Sequence, residues 1–234
     1  MRRALGTVLI AAGLLVLADV AVTLAWQEPV TALRARARQH ALAHELRALE
    51  LAAPPPARAA RHPRPPSAHT VRAFARTRPD GHALGELRIA RLGLHAIVVR
   101  GASAGDLQRG PGLIDGTSLP GLGGTTAIAG HRTTYGAPFR SIDALRRGDP
   151  ITLRMPYGTY RYAVEATRIV APDDLSVLRR VHHDRLVLSA CTPLFSAAQR
   201  IVVFARLTAV GQSATALEAR AARARYGAHE QGVS

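Results

Sequence analysis

The sequence predicts a mainly β domain, a closed barrel or a sandwich, set behind an N-terminal apolar segment. Between residues 83 and 208, short β-rich runs recur between Gly and Pro breakers: ELRIA, HAIVVR, TTAIAG, ITLRM, TYRYAVEATRIV, DRLVLSA and RIVVFARL. The run Tyr160-Arg161-Tyr162-Ala163-Val164-Glu165 alternates as a strand with one wet face does. Seven or eight strands with few helices in about 125 residues fit a barrel or sandwich better than a layered α/β fold.

In chain order, residues 4–26 (ALGTVLIAAGLLVLADVAVTLAW) form the one long apolar run. At ~1.5 Å per residue this run reaches roughly 34 Å as a helix, enough for the hydrocarbon core of a bilayer. Asp19 interrupts it near its C-terminal side, and Trp26 stands where an interfacial anchor would. Arg2 and Arg3 favour a cytoplasmic N-terminus, with Arg34, Arg36 and Arg38 competing from the other side. A cleaved signal peptide ending near Val16-Leu17-Ala18 is the alternative; the length of the run favours a retained anchor over residues 1–29.

Residues 30–52 have helix-forming composition, and Leu42, Leu46 and Leu49 make a modest apolar stripe. This segment reads as a solvated stalk rather than a coiled coil. The Pro/Arg-rich stretch 53–80 has little to bury and reads as an extended spacer, so that residues 30–82 form stalk and linker. Within the β-rich unit, 83–208, short helices are expected at 104–109 and 139–146, with a further turn capped by Asp173 or Asp174. Residues 209–234 read as a polar tail, and the chain has no internal repeat.

The formal charge is +15, and every basic residue other than histidine is arginine. An arginine excess raises nucleic-acid binding as a function class. The charge is spread along the chain, however, and aromatics make up only 4%, too few for base stacking. No nucleic-acid partner is expected. His182 and His183 read as an exposed loop pair; without an HExxH motif or a second Cys there is no zinc ligand set. Asp115, Asp143, Asp149, Asp173 and Asp174 are too scattered for a calcium loop. Neither a metal nor a cofactor is expected.

Cys191 is the only cysteine, which excludes an intrachain disulfide. It follows the apolar run Leu186–Ala190, and a strand end is a rigid place from which a nucleophile can meet substrate. The alternative is a buried thiol that fills space.

The segments TTAIAGHRTTYGAPFRSIDALRRGD and LVLSACTPLFSAAQRIVVFARL together resemble the sortases, over roughly residues 84–208 and in that family's order. The likeness is greatest to the class E branch, where GHRTTYGAPF and FSAAQR are characteristic, with class D next. It implies an eight-stranded β-barrel with short helices behind an N-terminal transmembrane helix. It also implies His131 after the fourth strand, Cys191 ending the seventh and Arg200 opening the eighth as the catalytic set. The implied enzyme is a single-pass plasma-membrane cysteine transpeptidase with its catalytic domain outside and membrane lipid around residues 4–26. Such enzymes cleave LAxTG- or LPxTG-like signals of secreted proteins between Thr and Gly through a thioester. They pass the acyl group to an amine of a peptidoglycan precursor in the cell wall.

Two departures from the family pattern bear on substrate binding. VLSAC stands for the usual TLxTC, so Val187 and Ala190 replace threonines, and Ala190 marks a substrate contact. GPGLIDGT (Gly110 to Thr117) stands for GPGHYPGT, placing Ile114 where an aromatic tied to substrate selection is usual. Tyr135 and Phe139, near His131, either line the groove or pack in the core.

These residue types suit the chemistry. A thiolate attacks, an imidazole protonates the departing amine, and a guanidinium stabilises the oxyanion or holds peptide carbonyls. A pilin-polymerising sortase, an L,D-type cysteine transpeptidase and an inactive sortase-fold binding protein are the other readings. The L,D type sets its arginine nearer the cysteine than Arg200 lies, and a thioester on Cys191 separates the enzymes from the binding protein.

Overall fold

The structure, a computed structural model, describes residues 2–25, 29–52 and 66–211. Its strands are β1 Ala83–Ile89, β2 Leu94–Arg100, β3 Gly112–Leu113, β4 Thr125–Ala129, β5 Pro150–Met155, β6 Gly158–Val170, β7 Arg185–Thr192 and β8 Gln199–Gly211. They close into a barrel in the order β1-β2-β3-β4-β7-β8-β6-β5. Closure settles the choice between barrel and sandwich, and β3 pairs β2 only at Val99 and Arg100. The β2–β3 and β4–β7 pairs are parallel, and the others are antiparallel. Strand alternation sends Leu87, Ile128, Leu153, Tyr162, Leu188 and Val203 into one buried core.

Helix α1 spans Arg2–Ala25. The side chains described from Val8 to Leu17 are exposed, with leucines, valines and an isoleucine facing outward. Trp26 and the side chain of Asp19 lie outside the described residues. Among the described residues, no helix is long and apolar enough to cross a membrane.

Helix α2, Pro29–Ala52, is not the solvated stalk that its composition suggests. Leu42 and Leu46, each 1% exposed, pack against Ala83, Ile97 and Val99 on the outer face of β1 and β2. Burying two leucines stabilises the contact by roughly 1.5–3 kcal/mol each. Gln39 extends the β2 edge like a strand partner. The Ile97 N–H donates to its Oε1 at 2.7 Å, while its Nε2 donates to the carbonyls of Ile97 at 3.1 Å and Arg109 at 2.8 Å. At the far end, buried Glu50 accepts from Arg154, which also donates to Glu86. Burial alone would raise the Glu86 carboxyl, but hydrogen bonds from Arg88 and Arg154 outweigh it and hold it below the usual range.

The expected spacer is also partly folded. Residues Ala68–Arg76 form α3, capped by Ser67, whose hydroxyl accepts from the Thr70 N–H at 3.2 Å. Val71 is buried in the barrel core, and Phe74 meets Tyr157 edge-on with ring centroids 5.3 Å apart. The Pro-rich residues 53–65 lie outside the described residues.

Two smaller expectations shift. The helix expected at 104–109 is α4, Ala104–Leu107, capped by Ser103. The one expected at 139–146 contracts to a single 3-10 turn at Ile142–Ala144. Asp174 caps the turn Leu175–Leu178, accepting from the Ser176 N–H at 3.0 Å. Strand β8 runs to Gly211, so the first residues of the expected tail belong to the barrel, and 212–234 lie outside the described residues.

Candidate active site

Alternation on β4, β7 and β8 divides their side chains between two faces. Leu186, Leu188 and Ala190 of β7, with Ile201, Val203 and Ala205 of β8, point into the barrel core. Val187, Ser189 and Cys191 therefore point outward, as do Arg200, Val202 and Phe204. Register stacks these outward residues in rows across the three strands. Ala127, Val187 and Phe204 make one row, and Ala129, Ser189 and Val202 the next. Cys191 pairs with Arg200 in the third. Continued two residues past Ala129, the parallel β4–β7 register sets His131 level with Cys191, and the Gly130 N–H donates to the Ser189 carbonyl at 3.0 Å. The three residues that the motifs single out thus end one outward face.

The first two rows form an apolar patch on the outer face. Ala127, Val187, Val202 and Phe204 are a buried cluster there, covered by Ile114, Val170, Val177 and Leu178. Ala129 and Ser189, nearest Cys191, are small and, like Cys191, half-buried. Ile114 belongs to the cover of the cluster. Ala190 is a correction: its methyl lies in the barrel core, because strand parity turns it away from the face that Cys191 occupies.

His131 is half-buried, and its Nε2 has no protein hydrogen-bond partner. Burial lowers its pKa below the ordinary 6.5 by disfavouring the imidazolium. The Tyr135 ring lies against the imidazole, centroids 5.0 Å apart and tilted by 43°. Tyr135 has φ 53° and the following Gly136 φ 78°, so the loop turns tightly here. Phe139 is core, fully buried; a Cβ on Gly130 would stand 2.6 Å from its ring, which is why glycine precedes His131.

The loop between β7 and β8 brings Leu194 and Phe195 to the surface beside Cys191, Phe195 being 61% exposed at φ 64°. Arg200 donates through Nη1 to the carbonyls of Ala197 at 2.9 Å and Gln199 at 3.1 Å. Among the described residues, no hydrogen bond joins His131, Cys191 and Arg200 to one another. Nor does any group of three or more His, Cys, Asp or Glu stand where it could hold a metal.

Sequence reasoning gave no role to Arg132 or Thr192. Arg132 is 5% exposed and donates from Nη1 to Thr192 Oγ1 at 3.0 Å. The signal was a charged residue beside His131 in a run otherwise poor in charge.

A thiol, an imidazole and a guanidinium ending one outward face make a site suited to acyl transfer. Comparison with known proteins narrows that class. The description "Sortase domain" matches residues 87–208, just over half of the chain, and the chain belongs to the sortase family of cysteine-based transpeptidases. It is 31% identical over 130 residues to Sortase D of Bacillus subtilis (strain 168), covering 54% of this chain and 64% of that protein. It is 32% identical over 102 residues to Sortase SrtE1 of Streptomyces coelicolor, covering 39% of this chain and 29% of that one. The chain thus spans less than two thirds of the length of either relative. The structure is similar to that of a Clostridium perfringens Sortase D5 transpeptidase, with TM-score 0.55 and 25% identity over 62% of this chain and 90% of the other. It is also similar to Streptomyces coelicolor Sortase E1 with a tripeptide in the active site, with TM-score 0.53 and 25% identity over 58% and 94%.

Proposed function

We propose that this protein cleaves an LAxTG- or LPxTG-like sorting signal between Thr and Gly, with Cys191 as nucleophile, His131 as proton carrier and Arg200 as oxyanion partner. The observation that carries the reading is the third row, Cys191 opposite Arg200 with His131 level, beside an apolar cluster on the same face. The apolar side chains there, Ile114 among them, suit the apolar residues of the signal, and Tyr135 packs against His131.

In this reading the Cys191 thiolate attacks the threonine carbonyl carbon, and Arg200 stabilises the oxyanion that forms. The C–N bond then breaks, and the His131 imidazolium gives its proton to the leaving glycine amine. The resulting thioester is attacked by an acceptor amine, whose proton returns to His131 as the Cys191 thiolate departs. An amine of a peptidoglycan precursor is the acceptor that the family suggests.

In this reading the apolar run 4–26 is the membrane anchor, with the barrel outside. The support is the sequence, since that run would reach roughly 34 Å as a helix, and the described side chains from Val8 to Leu17 are exposed. Because α2 begins at Pro29 and is docked on the barrel, the covalent path from Ala25 is short, at most about 14 Å for four residue steps. The barrel therefore works close against the outer bilayer surface, and residues 53–65 do not set that distance.

The test is ligation. The full chain in detergent, given an LAxTG or LPxTG peptide and an amine, should yield peptide joined to the amine at Thr. Binding without cleavage would leave a sortase-fold binding protein.

A further inference from the structure

Both reactive strands are cross-tied on each side of the residue that matters. On the near side, the Gly130 N–H donates to the Ser189 carbonyl at 3.0 Å, the last backbone bond between the β4 and β7 segments. On the far side, Arg132 Nη1 donates to Thr192 Oγ1 at 3.0 Å. His131 lies between Gly130 and Arg132, and Cys191 between Ser189 and Thr192.

The same guanidinium also gathers the returning loop. Its Nε donates to the Arg140 carbonyl at 3.1 Å, and its Nη2 pairs with Asp143 Oδ1 at 2.8 Å. The Phe139 N–H donates to the His131 carbonyl at 3.0 Å, so the loop held by Arg132 is the one that fixes the His131 backbone. Arg132 is 5% exposed whereas Asp143 is 59% exposed. An exposed ion pair needs no burial of the arginine, and burying a guanidinium is costly unless its donors are met. The three acceptors meet them in a fork that a lysine could not reproduce.

We propose that Arg132 is a positioning residue for the reaction, acting through Thr192 to hold Cys191 and His131 in register. It touches neither substrate nor thiol; it locks two strand ends past the point where backbone pairing stops. Misplacement of reacting groups by about 1 Å costs up to roughly 100-fold in rate. Loss of the tie should therefore lower turnover and leave substrate binding, which Arg132 does not contact in this proposal, largely intact.

The proposal rests on the acyl-transfer reading, and the experiment separates the two. The full chain and its Thr192→Val, Thr192→Ser, Arg132→Gln and Thr192→Val/Arg132→Gln forms are compared by two measurements, with melting curves confirming that each is folded. The first is kcat and KM on a sorting-signal peptide. Thr192→Val should lose roughly 10- to 100-fold in kcat with KM within about twofold. Thr192→Ser, which restores the hydroxyl, should recover most of it, and the double variant should be no worse than Arg132→Gln alone. The second needs no substrate: the rate of Cys191 alkylation by iodoacetamide across pH, which should change its profile in Thr192→Val and return in Thr192→Ser. Wild-type kcat and an unchanged alkylation profile in Thr192→Val would overturn the proposal. An inactive wild type would sink the functional reading, while the alkylation profile would still decide the role of Arg132.

Discussion

Cys191 and Arg200 are register partners across the β7–β8 ladder, both on the outward face. Their proximity is thus set by two paired strands, although nine positions separate them in sequence. The guanidinium is turned onto the Ala197 and Gln199 carbonyls, both through Nη1. To meet an oxyanion it has only to turn about its own side chain.

Replacing the thiol should separate chemistry from folding. Cys191→Ala removes one sulfur from an outward strand end, so the melting temperature should stay within a few degrees of wild type while turnover falls below about 1%. Arg200→Lys keeps the charge and loses the planar fork; steady-state kinetics should show a fall of roughly 10²–10³-fold.

His131 makes activity and stability depend on pH in a defined direction. Burial depresses its folded pKa below 6.5, so the imidazolium that protonates the leaving amine is a shrinking fraction above that pKa, and the His131 step in the pH profile of kcat/KM should lie below 6.5. For stability, the unfolded chain takes up the proton first as pH falls through 6.5, and the folded state resists it. Stability from this group is therefore full above 6.5 and declines toward the lower folded pKa. Denaturant midpoints between pH 7 and 5 should fall more steeply for wild type than for His131→Asn; parallel curves would remove His131 as the cause.

Much of the barrel was legible because each strand carries its own signal. Alternation in Tyr160–Glu165 and the Gly/Pro breaks locate strands without tertiary knowledge. Cys191, His131 and Arg200 were legible as motif residues, and Ile114 packs over the apolar cluster of the face they end. Ala190 misled because the motif shows which residue differs but not which face it occupies. Helix α2 was misread for a related reason. Its Leu42–Leu46 stripe was visible, but its partner surface lies on β2, where Ala96, Ile97, Val98 and Val99 are all buried. A continuous apolar strand such as HAIVVR signals cover on both faces, and that was the missed clue. Tyr135 needed the structure, since only loop geometry brings its ring to His131.

Helix α2 should count in the stability of the barrel. Leu46→Ala should cost about 2–5 kcal/mol in denaturant unfolding of a chain beginning at Pro29. A chain beginning at residue 81 should melt lower still, with Ala83, Ile97 and Val99 uncovered. Equal stability with and without residues 29–52 would mean that the helix is an accessory.

The docking of α2 also changes what a cut in the chain does. A specific protease site placed within residues 53–65 should be nicked without freeing the barrel from membranes, because α2 stays bound by Leu42, Leu46 and Gln39. Sedimentation after cleavage reads this directly; a barrel that moves to the supernatant under native conditions would show that α2 does not hold it.

Intact-protein mass spectrometry of the full chain mixed with a sorting-signal peptide, quenched in acid before an amine is added, tests the central claim most directly. A mass gain equal to the acyl fragment ending in Thr is expected, mapped to Cys191, removed by hydroxylamine and absent from Cys191→Ala. Cleaved peptide with no adduct on Cys191, or an adduct that persists in Cys191→Ala, would contradict it.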